Sequence, residues 1–121
     1  MNLHISDIRT IAEVKADFNK LFPYLRLEFN VNASERNGRT TSKNRISDDV
    51  KIGSIRDQHV EANFEFNENS TVEEFENNFF EKFGLRVQVY RRSGNVWLET
   101  NMTDKWTLQR QNEHGREITE I

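Results

Sequence analysis

The sequence predicts an α+β fold built from two strand–helix–strand units, and three observations carry that expectation. One short residue pattern occurs twice, each occurrence holds a capping box ahead of an apolar helical stripe, and a hairpin signal follows the second. The first unit runs from Asn2-Leu3-His4-Ile5 through Thr10-Ile11-Ala12-Glu13-Val14, Phe18 and Phe22 to Leu25-Arg26-Leu27-Glu28-Phe29. The second starts 61 positions on, with Asn63-Phe64-Glu65-Phe66, then Thr71-Val72-Glu73-Glu74-Phe75, Phe79 and Phe83. After a one-residue slip near Pro23 and Gly84 it ends on Leu85-Arg86-Val87-Gln88-Val89, so the internal repeat pairs residues 2–29 with 63–89.

Each element has a local reason. Leu3 and Ile5 alternate with His4, and Phe64 and Phe66 alternate with Glu65, which is the period of a half-buried strand. Thr10-x-x-Glu13 and Thr71-x-x-Glu74 are capping boxes, in which the hydroxyl and the carboxylate each serve an orphan donor at the helix start. Ile11, Val14, Phe18 and Phe22 then form one stripe, and Val72, Phe75, Phe79 and Phe83 form the other. Pro23 cannot continue a helix, and Gly84 can take the left-handed conformation that ends one.

Strand 85–91 leads into a hairpin, with Ser93-Gly94 expected as a two-residue loop that sets Tyr90 opposite Trp97 and Val89 opposite Leu98. Val87, Val89, Val96 and Leu98 are then expected on the core side, with Arg86, Gln88, Tyr90, Trp97 and Glu99 on the other. Between the units, residues 30–47 read as a polar, mobile loop, and Ser47-Asp48-Asp49 as a cap for a turn carrying Val50, Ile52 and Ile55. Thr107 is expected to cap a short C-terminal helix that Gly115 ends.

Joined in tandem, such units suggest a ferredoxin-like two-layer sandwich, with residues 95–100 as an added strand and the C-terminal helix beyond it. A β-grasp-like sheet is the alternative, because repeated elements do not dictate the order in which strands pair.

At 121 residues the chain fits a single domain, 1–121. Its core is modest, since 35% of residues are hydrophobic and 31% charged, but nine Phe and two Trp supply large apolar side chains. A net charge of −3 gives no global field for polyanions, so any nucleic-acid binding requires a local patch. Cysteine is absent, which removes disulfides, thiolate metal sites and cysteine nucleophiles. Neither a signal peptide nor an eighteen-residue apolar run is present, so a soluble cytoplasmic protein without membrane contact is expected.

Chemistry-bearing residues are few. His4, His59 and His114 lack paired-ligand spacing, and the five glycines are isolated, so no metal, cofactor or catalytic set is assigned and a small enzyme is the least favoured class. The aromatic face of Arg86, Gln88, Tyr90 and Trp97 is the first binding candidate. The basic loop is the second, where Arg36, Arg39, Lys43 and Arg45 oppose only Glu35. On helix 71–83, Glu73, Glu74, Glu76 and Glu81 are expected to face solvent, while Phe80 either widens the core or anchors a partner.

The stretch Phe83-Gly84-Leu85-Arg86-Val87-Gln88-Val89-Tyr90-Arg91-Arg92-Ser93-Gly94-Asn95-Val96-Trp97-Leu98-Glu99-Thr100, with Trp106-Thr107-Leu108 after it, resembles a small uncharacterised bacterial protein family over most of the chain. That resemblance implies a bacterial cytoplasmic setting and brings no activity or functional residue with it.

The expected function is a non-enzymatic interaction domain that binds a protein partner or self-associates through the face of strand 85–100. The alternative is single-stranded nucleic-acid binding by the Tyr90/Trp97 face together with the basic loop.

Overall fold

The helices begin where the capping boxes place them. The computed structural model describes residues 1–30, 45–56 and 61–120, in the order β1 (Asn2–Ile5), α1 (Ile11–Leu21), β2 (Leu25–Asn30), β3 (Ala62–Glu65), α2 (Val72–Phe83), β4 (Arg86–Ser93), β5 (Val96–Glu99) and α3 (Leu108–Thr119). Thr10 and Thr71 accept from the Glu13 and Glu74 amides, and both carboxylates return a bond to the threonine N–H. Thr107 caps α3 by accepting from the Arg110 amide. Gly84 ends α2 at φ 70°, a conformation open to glycine at little cost.

The first two amides of each helix, which a capping box leaves over, donate to carbonyls of another segment. Ile11 and Ala12 bond Val50 O and Asp48 O, Val72 and Glu73 bond Trp106 O and Asp104 O, and Leu108 and Gln109 bond Ser70 O and Glu68 O. The starts of α2 and α3 therefore clasp one another, with Thr71 bridging Thr107. With these donors occupied, none of the three helix starts presents the free amides that an anion site needs.

The chain is α+β, but the strands do not form one ferredoxin-like sheet. Among the described residues β1 pairs with β3 in a two-stranded sheet, and β2, β4 and β5 make a three-stranded one, all antiparallel. A ferredoxin-like order would pair β2 with β3; here like pairs with like across the two units. Leu3 sits opposite Phe64 and Glu28 opposite Gln88, and both are pairs of matching positions in the two sequence patterns. Apolar alternation specifies which face a strand buries and is silent about its neighbour, which is why the pairing was not readable.

Both sheets and all three helices contribute to one hydrophobic cluster, α3 through Leu108. Phe18 of α1 meets Phe75 of α2 at 5.3 Å between ring centroids, and Phe64 of β3 contacts Phe75, Phe79 and Phe83 edge-on. Leu25, Leu27 and Phe29 of β2, with Val87 and Val89 of β4, close it from the second sheet. Ser47-Asp48-Asp49 does not cap the turn at Ile52–Ser54, which starts at Lys51 with no side-chain cap, but the apolar part of the expectation holds: Ile52 seats fully in the core with Val50 and Ile55 partly buried beside it.

Two expectations fail at the C-terminal end. The hairpin loop is Gly94-Asn95, because Ser93 pairs with Val96, and this sets Arg92 opposite Trp97 and Tyr90 opposite Glu99. Gly94 takes φ 62° as the first loop residue, which shifts the register by two and leaves the facing of every side chain unchanged. Gly115 does not end α3, which runs on to Thr119. A Cβ there would lie 3.0 Å from Arg91 Cγ and Tyr24 Cβ and 3.3 Å from Arg92 O, so this glycine lets α3 approach the β2–β4 pair closely. Gly115→Val is expected to cost about 1–3 kcal/mol through overpacking. Chemical denaturation checks it, and a variant as stable as wild type would contradict this close fit.

Candidate functional site

Alternation along the paired strands gives the three-stranded sheet a second face, turned away from the Leu25/Leu27/Phe29 side. It carries Arg26, Glu28 and Asn30 of β2, Arg86, Gln88, Tyr90 and Arg92 of β4, and Trp97 and Glu99 of β5. The four residues singled out from sequence, Arg86, Gln88, Tyr90 and Trp97, thus share one face. Gln88 and Tyr90 are, however, each only 4% exposed.

The aromatic rings on this side are occupied by cations. Arg45 lies 5.0 Å from the Tyr90 centroid, and a hydrogen bond with the Tyr90 side chain raises the Arg45 pKa. Arg26 and Arg92 each stand 5.8 Å from the Trp97 centroid, and Arg86 packs 4.0 Å from the centre of Phe80. Phe80 therefore serves as a seat for Arg86 at the flank of the core. A base approaching Tyr90 would have to displace Arg45, so this face lacks the bare pair of rings that a stacking platform uses. Arg36, Arg39 and Lys43 of the basic loop lie outside the described residues, as does His59.

A charged network, unanticipated from sequence, sits at the β2 side of the same face. Glu28, 3% exposed, accepts from Lys15 Nζ at 2.9 Å and Arg26 Nε at 2.7 Å, and Lys15 also reaches Asp48 at 2.7 Å. The only hint in the sequence was the place of Lys15 directly after the stripe residue Val14, where a long stem can skirt the core edge.

The β5 side is finished by side chains. β5 stops at Glu99, one position short of covering Val89. Thr100 Oγ1 donates to Val89 O at 2.7 Å, and Glu76 Oε2 accepts from Val89 N at 2.8 Å. Glu76 was expected in solvent with Glu73, Glu74 and Glu81; instead it turns inward, and burial pushes its carboxyl up to about 8, aided by the nearby Asp104 and Glu73 charges. It lies one position after the stripe residue Phe75, and stripe spacing alone does not separate a flank that meets a strand from one that meets water.

The two outer edges of this sheet differ. At β2, Leu25 O accepts from Asn19 Nδ2, Leu25 N donates to Phe22 O, and Phe29 O accepts from Ile46 N, so the edge is dressed by the chain's own groups. β5 is the other outer strand, and no strand pairs with its far edge among the described residues. Arg92 N donates to Tyr24 O on the β2 side, so the Arg92/Trp97 pair is not hydrogen-bonded and the backbone groups of Trp97 and Glu99 point outward. Val96 and Leu98, expected in the core, are 54% and 41% exposed, because α3 covers β4 and leaves β5 beyond its rim. Met102, just past β5, is also exposed.

The described histidines have structural partners: His4 bonds Asn63 and faces Glu61, and His114 packs edge-on to Trp106. Among the described residues there is no group of three metal-ligating side chains and no helix long and apolar enough to cross a membrane. No family model, curated protein or solved structure matches this chain.

Proposed function

We propose that this chain is a non-enzymatic, cytoplasmic interaction domain that binds protein by adding an extended segment to the outer edge of β5. The two strand–helix–strand units are read as copies of one motif that satisfy one another, and β5, which has no counterpart among the described residues after the first unit, is read as the added element that carries the site. The observation behind this reading is the contrast between edges: β2 is dressed, whereas β5 offers outward backbone groups beside exposed Val96 and Leu98.

Natural sheets guard such edges with lysine, proline, bulges or a covering element, and Val96-Trp97-Leu98-Glu99 has none of the first three. Strand addition draws affinity from main-chain hydrogen bonds and selectivity from alternate side chains, and β5 supplies both. Arg26, Arg92 and Trp97 form a cationic and aromatic rim on one side of the entering segment, and Val96 and Leu98 an apolar one on the other.

Amide exchange tests the reading. A blocked synthetic peptide of alternating valine and threonine should slow exchange at the Trp97 and Glu99 amides and leave the β2 edge unaffected. Leu98→Lys, at an exposed position, should weaken that protection roughly tenfold, about 1.4 kcal/mol, without unfolding the chain. Unchanged Trp97 and Glu99 amides at saturating peptide would rule out strand addition here. Binding that collapses with salt and ignores Leu98→Lys would point to a polyanion on the arginine face instead.

A further inference from the structure

We infer that the segment seated on the β5 edge is the β5 strand of a second copy of this chain, antiparallel, with the twofold axis through Trp97. This rests on the strand-addition reading above and names its occupant. The case comes from the parity of the strand. Outward backbone groups sit on Trp97 and Glu99, while those of Val96 and Leu98 are turned toward β4. A second β5 can pair only if outward residues meet outward residues. An axis through Trp97 achieves this, setting Trp97 against Trp97 and bringing Glu99 beside the Gly94-Asn95 loop of the other copy.

The side chains agree with that register. On the helix side Val96 meets the other copy's Leu98 twice over, so the exposed apolar residues of this edge cover one another. On the arginine side the two Trp97 rings meet at the axis, each already flanked by Arg26 and Arg92. The two Glu99 carboxylates fall at opposite ends, so no two carboxylates stand opposite, while the arginines that gather at the axis lie against the Trp97 rings. Moving the axis to Leu98 would also match outward residues and set Leu98 against Leu98, but it sets Val96 against buried Thr100, so the exposed valine is left without an apolar partner. The same patch facing itself is an isologous, closing contact, so the sheet grows to a dimer and stops.

The absence of cysteine makes the test clean. Sedimentation of the full chain should show a concentration-dependent monomer–dimer equilibrium that Leu98→Lys shifts fully to monomer. In a glutathione buffer, Val96→Cys mixed with Leu98→Cys should form the mixed disulfide, and neither variant alone should link to itself. Both positions are exposed, so the thiols are introduced without disturbing the core. Self-linking of Leu98→Cys would overturn the register. A strict monomer at every concentration, with no mixed disulfide, would overturn self-pairing. If the valine–threonine peptide still protected Trp97 and Glu99 in that monomer, strand addition would stand with another protein as occupant; without that protection both readings fall.

Discussion

Lys15→Met is expected to lower the stability of the folded chain by about 3 kcal/mol, the lower end of the range for breaking a buried ion pair. Glu28 is almost fully enclosed, and its two hydrogen-bonding cations are Lys15 at 2.9 Å and Arg26 at 2.7 Å. Methionine keeps most of the lysine stem and its packing and removes the ammonium; Asp48, the other partner, is 58% exposed and falls back on water, so the loss reports chiefly Glu28 left with Arg26 as its hydrogen-bonding cation. Arg26 is 39% exposed and remains in place, which keeps the cost from reaching the top of the range. Adding Glu28→Leu to Lys15→Met should recover most of the loss, because the uncompensated charge is then gone and Arg26 can turn to water. Urea denaturation measures this as a shift of midpoint at constant slope. A single variant within about half a kcal/mol of wild type would show that the network contributes little.

Glu76→Gln is expected to stabilise the protein at alkaline pH and to leave it nearly unchanged near pH 5. The native carboxyl holds its proton to about 8, against an ordinary value of 4.5, chiefly because it is buried and secondarily because Asp104 and Glu73 stand near. The folded state therefore binds a proton that the unfolded chain releases between those values. That contribution is complete below 4.5, falls as pH rises, and is gone once pH passes through about 8. At about 1.4 kcal/mol per pKa unit the total is of the order of a few kcal/mol. Glutamine offers a carbonyl oxygen to Val89 N–H without ever ionising, so it keeps the bond and loses the pH dependence. Thermal unfolding of both proteins from pH 5 to 9 isolates the effect, since every other titrating group cancels in the difference. A difference that does not change with pH would mean that Glu76 reaches water in the folded state.

Local signals were legible in the sequence to the extent that they act locally. Thr10, Thr71 and Thr107 cap helices because a threonine hydroxyl three residues from an amide satisfies it whatever lies around it. The stripe Val72, Phe75, Phe79 and Phe83 is buried throughout for the same reason of period. Gly84 was readable from its place after the stripe. Gly115 was not, because its role is set by Tyr24 and Arg91, residues far away along the chain. Tyr90 and Gln88 were correctly placed on one face with Trp97, yet facing says nothing of depth, and Arg45 covers the tyrosine. That no described strand pairs with the outer edge of β5 was foreshadowed by the hairpin signal, which follows only the second sequence pattern. Which edge of the sheet stays open depended on Asn19 and Ile46, whose bonds to β2 no periodicity announces.

The pairing of like with like across the two units also governs how the chain reaches its fold. Neither unit contains a strand partner for its own strands: Leu3 waits for Phe64, and Leu27 for Val89. Among the described strands only β4 and β5 can zip locally. The β1–β3 and β2–β4 pairings each require closing a loop of about half the chain before they repay the lost entropy. This topology places the protein among slow folders for its size, with the β4–β5 hairpin as the only sheet element able to form early. The β5 edge, proposed above as the site of strand addition, would then belong to the first piece of sheet in existence and be exposed from the outset.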